Sequence, residues 1–301
     1  MKKAIIITAA VLVAAFCGAA IYIANQRTAN SEAVRVCLPE GTTFDTLCDS
    51  LDASPTFRLM ARMLKLDERV RPGSYIVEAQ QSELALVRKL RNGQQDPIRL
   101  TIGKFRTPQQ LNEYLDSKLM HNDFDIPLDS FYIIRPDTYE FYWTVTPEQF
   151  MKRMRREYER TGVDKDVIVL ASIVEEETNH NPEKPLIASV YLNRLKRGMP
   201  LQADPTVKYA VGDFTLRRIL NKHLAVESPF NTYLHTGLPP APICLPSKAS
   251  VDAVLNAPET NYLYFCASPA MDGTHRFATT LAEHNRNAAA FHAALGRLGI
   301  R

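Results

Sequence analysis

The sequence predicts an α+β protein with a single N-terminal transmembrane helix, a small mixed module and a larger helix-rich domain. Three observations support this class. Residues 4–24 form an unbroken apolar run, residues 34–98 alternate short strand-like and helix-like patterns, and residues 99–301 carry long segments with helical spacing of apolar side chains. Residues 1–3 precede the apolar run, and residues 25–33 form a polar linker after it.

The N-terminal run has the features of a membrane anchor. Lys2 and Lys3 precede residues 4–24, a stretch long enough to cross a hydrocarbon core of ~30 Å. The positive flank predicts that residues 1–3 stay in the cytoplasm and that the rest of the chain is exported. A cleaved signal peptide is the alternative, but the length of the run and the lack of a clear Ala-x-Ala site favour an anchor. Phe16 before Cys17 argues against lipoprotein processing.

Composition limits the classes of partner and cofactor. A formal net charge of +3 is too small to indicate nucleic-acid binding, and it is compatible with work at an anionic wall or membrane surface. Beyond the anchor stand Cys37, Cys48, Cys244 and Cys266. Two disulfides are conceivable, and the first two cysteines are close enough in sequence to pair, but free buried thiols are the favoured interpretation. No C-x-x-C and no H-E-x-x-H occurs, so no metal is predicted.

The small module is predicted to contain two strands and three helices. A strand over 33–38 alternates apolar and polar residues and ends at a Pro-Glu-Gly turn. Thr43 caps the first helix, a second helix follows, and a turn leads into a strand within 70–77. Ser82 opens a third helix that ends at Gly93. Since no catalytic cluster is evident, we interpret this region as a binding or spacer module.

The larger domain begins with a strand and an aromatic segment. Residues 100–102 are predicted as a strand, and Thr107 as the cap of the next helix. Residues 135–143 form a dense aromatic turn that contains Trp143, the only tryptophan. Aromatic faces at a groove stack on sugar rings, although aromatics that seal an interdomain seam explain the same pattern. A helix over 146–158 follows.

An apolar helix that ends in three glutamates comes next. On a helical wheel at about 100° per residue, Glu177 falls on the apolar line, whereas Glu175 and Glu176 lie off it on opposite sides. Asp164 or Asp166 is the predicted N-cap. The apolar line contains Val163, Val167, Leu170, Ile173 and Val174. A carboxyl group on this line loses hydration, which raises its pKa and makes it a candidate general acid. The alternative is a helix that frays before the first glutamate and leaves all three in water.

Proline-rich polar segments follow this helix. A turn over 179–182 leads into a helix over 185–197 that is stopped by Gly198. Four further segments are predicted as loops: residues 199–209, 228–233, 237–243 and 273–277. Amides and hydroxyls on proline-stiffened backbone offer fixed hydrogen-bonding geometry at low entropic cost, as a polyhydroxylated, acetamido-bearing ligand requires. Plain structural turns are the alternative for each of them.

Ordered motifs over residues 168–285 closely resemble those of the MltG (YceG-like) endolytic murein transglycosylases. The strings are A-S-I-V-E-E-E-T at 171–178, Y-L-N-R-L-K-R-G-M-P-L-Q-A-D-P-T-V-K-Y at 191–209, S-P-F-N-T-Y at 228–233, G-L-P-P-A-P-I at 237–243, Y-L-Y-F at 262–265, G-T-H-R-F at 273–277 and T-x-x-E-H-N at 280–285. R-P-D-T-Y at 135–139 is similar to the family's F-P-D-T-Y element. Residues 34–98 resemble its LysM-like module, and the resemblance before residue 100 is weaker.

The resemblance implies an inner-membrane enzyme with its catalytic domain, residues 99–301, in the periplasm. Such an enzyme cleaves MurNAc-β-1,4-GlcNAc bonds in nascent glycan strands and leaves 1,6-anhydro-MurNAc ends. The implied partners are peptidoglycan strands and peptidoglycan synthases at the membrane, with no nucleic acid and no cofactor. The family's catalytic glutamate precedes the threonine of E-K-E-T and corresponds to Glu177. Glu176 here replaces the usual lysine, Arg135 an aromatic residue and Ala241 a glycine.

The implied mechanism needs a single carboxyl group. Protonated Glu177 donates to the glycosidic oxygen while the acetamido group of the substrate stabilises the oxocarbenium-like centre. The Glu177 carboxylate then takes the proton of the C6 hydroxyl as the anhydro ring closes. The residues expected around the sugar are Gln202, Asp204, Thr206, Asn231 and Tyr233, with Glu175 as an electrostatic helper. An Asx turn before Pro205 is the alternative for Asp204.

Two other functions fit the same sequence. A non-catalytic, membrane-anchored scaffold would bind peptidoglycan and have no chemistry to lose when Glu177 is replaced. A true hydrolase would use Asp204 or Glu175 to activate water and would give a reducing end. Placing a carboxyl group on an apolar helix face is costly unless it serves a purpose, so the transglycosylase is the favoured function.

Overall fold

The computed structural model describes residues 2–216 and 218–297. Its helices are α1 (Lys2–Ala24), α2 (Phe44–Ser50), α3 (Pro55–Met63), α4 (Glu83–Asn92), α5 (Pro108–Lys118), α6 (Pro147–Glu159), α7 (Lys165–Glu177), α8 (Lys184–Lys196), α9 (Asp204–Val211), α10 (Asn221–Leu224), α11 (Lys248–Leu255) and α12 (Leu281–Arg297). Its strands are β1 (Val34–Leu38), β2 (Gly73–Val77), β3 (Ile98–Ile102), β4 (Asp137–Phe141), β5 (Tyr264–Ala267) and β6 (His275–Ala278). This content confirms the α+β class.

Helix α1 is the one helix in the described part of the chain that is long and apolar enough to cross a membrane. Its most apolar window, Ile7–Ala24, has a mean hydropathy of 2.3 and is not buried against the rest of the protein. These properties fit the predicted anchor, and they fit a signal sequence equally well.

The chain divides into two compact units. The first contains residues up to 100 with 116–122 and 139–146, and the second contains 101–115, 123–138 and the residues from 147 onward. The main division lies close to the predicted boundary at residue 98, but two short later segments belong to the first unit. The assignment of 34–98 and 99–301 as domains stays a prediction.

The small module of the first unit follows the local sequence signals closely. Strands β1 and β2 pair antiparallel, with Val36 opposite Tyr75. The hydroxyls of Thr43, Ser54 and Ser82 accept from backbone N–H groups at the starts of α2, α3 and α4. Gly93 ends α4 with a φ of 66°, in the left-handed region that favours glycine. The core holds Leu38, Leu47, Cys48, Phe57, Met60, Ala61, Leu66, Tyr75, Val77, Leu86, Val87 and Leu90.

In the second unit, α7 is the central element of the core. Its apolar side chains are buried together with those of α8. The hydroxyl of Ser172, itself fully buried, accepts the backbone N–H of Ile243, so the segment before α11 is bonded directly to α7. Strands β5 and β6 pair antiparallel, with Phe265 opposite Phe277. These contacts leave the C-terminal end of α7 as the edge of the core, which is where its three glutamates lie.

The predicted aromatic turn over 135–143 is wrong for most of its length, because β4 occupies Asp137–Phe141 and pairs with β3. Tyr139 and Phe141 alternate onto the buried side, with 8% and 6% of their surface exposed. This period of two, in a segment rich in β-formers, overrides the turn signal of Pro136. The turn itself is confined to the residues around Trp143.

Two segments predicted as loops contain regular structure. Helix α9 begins at Asp204 within 199–209, and β6 begins at His275 within 273–277. Pro205 lies in the first turn of α9, where its missing N–H removes no helical hydrogen bond. Asp204 is therefore a helical residue and does not form the Asx turn considered as its alternative.

All five cysteines lie within the described residues, and none is in a disulfide. Cys48 and Cys244 are buried as expected, and burial raises the pKa of both thiols. Cys37 is exposed and Cys266 is half-buried, so the prediction of buried free thiols is correct for burial at only two of the four positions beyond α1. Cys37 cannot be buried because it lies on the solvent side of β1, between the buried Val36 and Leu38.

Candidate active site

The candidate site is built on the C-terminal end of α7. Asp164 caps this helix through an Oδ1 that accepts the backbone N–H of Asp166, and every residue from Ile168 to Val174 is buried. The helix continues to Glu177 and does not fray before the glutamates. The C-terminal end of a helix carries partial negative charge, so three carboxylates there need compensation.

Glu175 is compensated by cation and hydroxyl partners. Its Oε2 accepts hydrogen bonds from Lys184 Nζ at 3.0 Å and from the hydroxyls of Ser247 at 2.6 Å and Ser250 at 2.5 Å. Burial acts to raise the pKa of Glu175, but the bonds from Ser247, Ser250 and Lys184 outweigh it and the pKa is lowered. Glu175 thus links α7 to α8 and to the start of α11.

Glu176 is compensated by two cations from the segment before α5. Lys104 Nζ lies 2.8 Å from Oε1, and the guanidinium of Arg106 bonds both oxygens at 3.2 and 3.1 Å. Burial again acts to raise the pKa of Glu176, and the bonds from Lys104 and Arg106 reverse it, so this pKa is also lowered.

Among the residues that the structure describes, no cation is bonded to Glu177. Tyr191 donates its hydroxyl to Oε1 at 2.5 Å, and the carboxyl group is enclosed although the residue as a whole keeps some exposure. Burial is the largest influence and raises the pKa of Glu177 to about 7, with smaller opposing effects from the Tyr191 bond and Lys208 and supporting ones from Asp204 and Glu176. This carboxyl group is therefore half-protonated near neutral pH, as a general acid requires.

Glu177 lines two cavities. One, of about 280 Å³, is formed with Tyr191, Arg194, Leu201, Gln202, Asp204, Tyr233, Phe265 and His284. The other, of about 570 Å³, is formed with Thr178, Asn179, His180, Ala267, Ser268, Phe291 and residues 271–275. Glu177 thus borders two recesses, each large enough to take part of a sugar.

Gln202, Asp204 and Tyr233 share the smaller cavity with Glu177. Tyr233 donates its hydroxyl to Asp204 Oδ1 at 2.7 Å. Burial and the bond to Asp204 raise the pKa of Tyr233, so the phenol remains a donor. These three predicted residues are the ones that the structure brings to Glu177.

The other predicted residues lie in the framework around the cavity. Thr206 is fully buried and bonds the carbonyl of Ala203 and the hydroxyl of Thr232. Asn231, also fully buried, uses its amide to bond the carbonyls of Leu224 and Val226. Together with Glu175, which bonds α8 and α11, they hold the backbone of the site rather than line either cavity.

Gln202 has a strained backbone, with a φ of 53°. Its N–H donates to the carbonyl of Thr232, and Arg194 Nη1 contacts its Oε1 at 3.3 Å as well as the carbonyl of Leu201 at 2.9 Å. A non-glycine residue held in the left-handed region costs free energy and persists where surrounding bonds fix it, commonly at functional sites. These bonds therefore fix the backbone of a residue that lines the cavity.

Sequence reasoning missed Tyr191, Arg194, Phe265 and His284 as cavity residues. Arg194 is buried, donates Nε to the carbonyl of Leu263 and stacks over Tyr264. His284 has a buried Nδ1 without a hydrogen-bond partner among the described residues, and burial, followed by the charge of Arg194, lowers its pKa. The available signal is their position inside the motif strings at 191–209, 262–265 and 280–285.

The described residues contain no cluster of side chains that could bind a metal ion. Within 2–216 and 218–297, no three His, Cys, Asp or Glu side chains are placed to hold a metal ion. Glu177, whose pKa is about 7, can both donate and accept a proton near neutral pH.

Comparison with known proteins gives a consistent result. A sequence model of the YceG-like family matches residues 29–290. The endolytic murein transglycosylase of Bacillus subtilis (strain 168) is 46% identical over 120 residues, which are 40% of this chain and 32% of that protein. Its counterpart from Streptococcus pneumoniae serotype 2 is 34% identical over 128 residues, 41% of this chain and 23% of that protein.

A solved structure matches a larger share of this chain than the two sequence relatives do. A YceG-like protein from Listeria monocytogenes is 26% identical, with a TM-score of 0.51 over 85% of this chain and 99% of that one. The chain spans about a third or less of the length of the curated relatives it matches.

Proposed function

The chain belongs to the YceG-like family, and we propose that it is a peptidoglycan lytic transglycosylase in which Glu177 acts as general acid and then as base. The main support for this proposal is the difference in pKa among the three glutamates at the end of α7. Of three consecutive glutamates, Glu175 and Glu176 have lowered pKa values, whereas the pKa of Glu177 is raised to about 7 in a carboxyl group that lines two cavities. The names of the relatives from B. subtilis and S. pneumoniae agree with this activity.

In the proposed reaction, Glu177 first donates its proton to the oxygen of a MurNAc-β-1,4-GlcNAc bond. The bond from that oxygen to the anomeric carbon breaks, and the acetamido group of MurNAc stabilises the positive centre. The Glu177 carboxylate then removes the proton of the C6 hydroxyl, whose oxygen bonds the anomeric carbon to give a 1,6-anhydro end. No water is consumed, and Glu177 returns to its protonated form.

Tyr191 and the cavity residues prepare this proton transfer. The Tyr191 hydroxyl fixes Oε1 of Glu177, and Oε2, which bonds no other described side chain, is available to the substrate. We assign Gln202, Asp204, Tyr233 and the unpartnered Nδ1 of His284 to sugar binding in the smaller cavity. Thr206, Asn231 and Glu175 act in this proposal by fixing the backbone around it. Two recesses that share Glu177 suit an endolytic enzyme, which must hold sugars on both sides of the bond.

The N-terminal part completes the proposal. Helix α1 anchors the protein in the inner membrane with the remaining chain in the periplasm, as Lys2 and Lys3 at its N-terminal end indicate. The small module is LysM-like and binds or positions glycan. Peptidoglycan synthases at the same membrane are the proposed protein partners, because they make the nascent strands that the enzyme cleaves.

Mass spectrometry of the products tests the proposal. The full chain in detergent micelles is incubated with purified peptidoglycan, beside Glu177→Gln and the matched control Glu148→Gln, which changes an exposed carboxylate in α6. We expect anhydro-ended muropeptides from the wild type and the control, and a loss of about 10²–10⁴-fold or more in Glu177→Gln. Unchanged product formation by Glu177→Gln contradicts the assignment of the acid.

A hydrolase is the second candidate, because Asp204 shares the smaller cavity with Glu177 and could activate water. It predicts reducing ends instead of anhydro ends, in the same spectra, and their loss in Asp204→Asn. Glycan binding by the wild type without any product would instead favour the scaffold.

A further inference from the structure

The small module contains a cavity that the proposed reaction does not use. It has a volume of about 400 Å³, and residues from 27 to 86 line it. All of them belong to the first unit, whereas Glu177 and its cavities belong to the second. The cavity therefore needs an explanation of its own.

Three polar atoms of residues that line this cavity are buried and have no hydrogen-bond partner in the described part of the chain: Glu83 Oε2, Asn30 Oδ1 and Thr28 Oγ1. Glu83 is only 4% exposed, and its other oxygen, Oε1, accepts the hydroxyl of Ser54 at 2.6 Å. An unsatisfied buried polar group costs about 1–3 kcal/mol, and a charged one costs more. The carboxylate oxygen of Glu83 and the amide oxygen of Asn30 only accept hydrogen bonds, and the hydroxyl of Thr28 can accept one or donate one, so a ligand with N–H donors can satisfy all three.

The remaining lining defines the rest of the ligand. Its apolar wall includes Val34, Val36, Leu51, Phe57, Val77 and Leu86. Besides Glu83, two carboxylates line the cavity, Asp49 and Asp52, against a single cation, Arg27. Asp49 is 3.4 Å from Arg58, so one of these charges is already paired. The excess of carboxylates over cations in the lining, together with the apolar wall, favours a cationic ligand with an apolar stem over an anionic ligand.

We propose that this cavity binds a primary ammonium group carried on a short alkyl stem. An ammonium has three N–H donors and no acceptor, which matches the three unpartnered oxygens of Glu83, Asn30 and Thr28 in number and in polarity. The stem lies along the apolar wall, as alkyl chains of amphipathic cations do. Diamino-acid side chains and ethanolamine headgroups both present this group, and the alkyl wall favours the first. The proposal is independent of the chemistry assigned to Glu177.

Calorimetric titration of the full chain in detergent micelles tests the ligand chemistry. The probes are Nα-acetyl-lysine methylamide, its Nε-acetylated form, which keeps the stem but loses the charge, and phosphoethanolamine. We expect the lysine derivative to bind at least about tenfold more tightly than its acetylated form, a difference of ~1.4 kcal/mol. Tighter binding of phosphoethanolamine would keep the ammonium site and assign it to a lipid headgroup. Equal binding of the two lysine derivatives, or binding of no probe, overturns the proposal.

Variants of the lining locate the site. Glu83→Gln removes the charge and is expected to weaken binding of the lysine derivative about tenfold or more, whereas Glu78→Gln, outside the cavity lining, makes the same charge change with no effect. Thr28→Val keeps the shape and removes an oxygen that has no partner in the free protein, so the fold stays intact and binding weakens several-fold. Unchanged affinity in Thr28→Val and Glu83→Gln places the ligand elsewhere and overturns the proposal.

Discussion

At the scale of single residues, the pKa of Glu177 determines the pH range of the proposed reaction. The acid step needs the protonated carboxyl group, and a pKa of about 7 means that this form is lost as the pH rises above neutrality. We therefore expect kcat/KM for peptidoglycan cleavage to fall with an apparent pKa near 7. A pH–rate profile checks this, and an alkaline limb several pH units away would contradict the assignment of Glu177.

Two neighbouring charges should move that limb in opposite directions. The negative charge of Asp204 raises the pKa of Glu177 and the positive charge of Lys208 lowers it. Asp204→Asn should therefore move the limb to lower pH, and Lys208→Gln should move it to higher pH. The position of the limb is the readout, because loss of a sugar contact at Asp204 changes the height of the profile but not its midpoint. Shifts in the same direction would rule out this electrostatic account.

The same pKa makes a prediction about stability. Because the folded-state pKa of Glu177 is raised from 4.5 to about 7, its contribution to stability is complete below pH 4.5 and is lost as the pH rises through 7. The loss at pH 8 is about 3 kcal/mol, since the folded and unfolded pKa values differ by about 2.5 and each pKa unit corresponds to about 1.36 kcal/mol. Glu177→Gln, which stays neutral, should therefore raise the melting temperature at pH 8 and leave it nearly unchanged at pH 4.5. Equal effects at both pH values would disprove the raised pKa.

The helical wheel found Glu177 from sequence because burial along one helix has a period of 3.6 residues. It could not find the partners of the other two glutamates. Glu176 is paired with Lys104 and Arg106, and Glu175 with Ser247 and Ser250, all far away in sequence. These contacts are what separate the three pKa values, so local sequence identifies the buried carboxyl group but does not explain why its pKa differs from those of its neighbours.

At the scale of elements, Glu175 joins α7, α8 and α11, and its removal should destabilise the second unit. Lys184 is only 4% exposed in its side chain, so Glu175→Ala leaves a buried cation without its carboxylate. We expect a loss of about 3–5 kcal/mol in the free energy of unfolding, measured with urea. Glu176→Ala is the matched control and should cost only about 1 kcal/mol, because its partners are more exposed.

A double variant separates the two explanations for that loss. If the cost comes from the unpaired ammonium, Glu175→Ala combined with Lys184→Met should recover most of the stability. If the double variant is as unstable as the single one, the hydrogen bonds from Ser247 and Ser250 carry the stabilisation instead.

Elements with clear end signals were predictable and elements within proline-rich segments were not. Thr43, Ser82 and Gly93 mark helix ends through local hydrogen bonds and backbone conformation, and the structure has those ends. The start of α9 was missed because Pro205 suggests a loop in isolation, whereas its position in a first turn is set by the packing of the following residues. Likewise β4 depends on β3 as its partner, a pairing that no local pattern specifies.

At the scale of the whole molecule, the orientation of the chain across the membrane can be measured through its own cysteines. Cys37 is exposed shortly after α1, whereas Cys48 and Cys244 are buried and burial raises the pKa of their thiols. The thiolate is the reactive form, so a maleimide should react at Cys37 far faster than at the other two. Cys17 lies within α1, and Cys266 is replaced by Ser to remove its partial exposure.

In right-side-out membrane vesicles, we expect a membrane-impermeant maleimide to label this chain without lysis and Cys37→Ser to abolish the label. That result follows if Lys2 and Lys3 hold the N-terminus in the cytoplasm and everything beyond α1 lies outside. Label that appears only after lysis would place the residues beyond α1 inside, which contradicts the proposed orientation. A labelled protein that is released from the vesicles by alkaline carbonate would instead mean that the N-terminal helix does not anchor it.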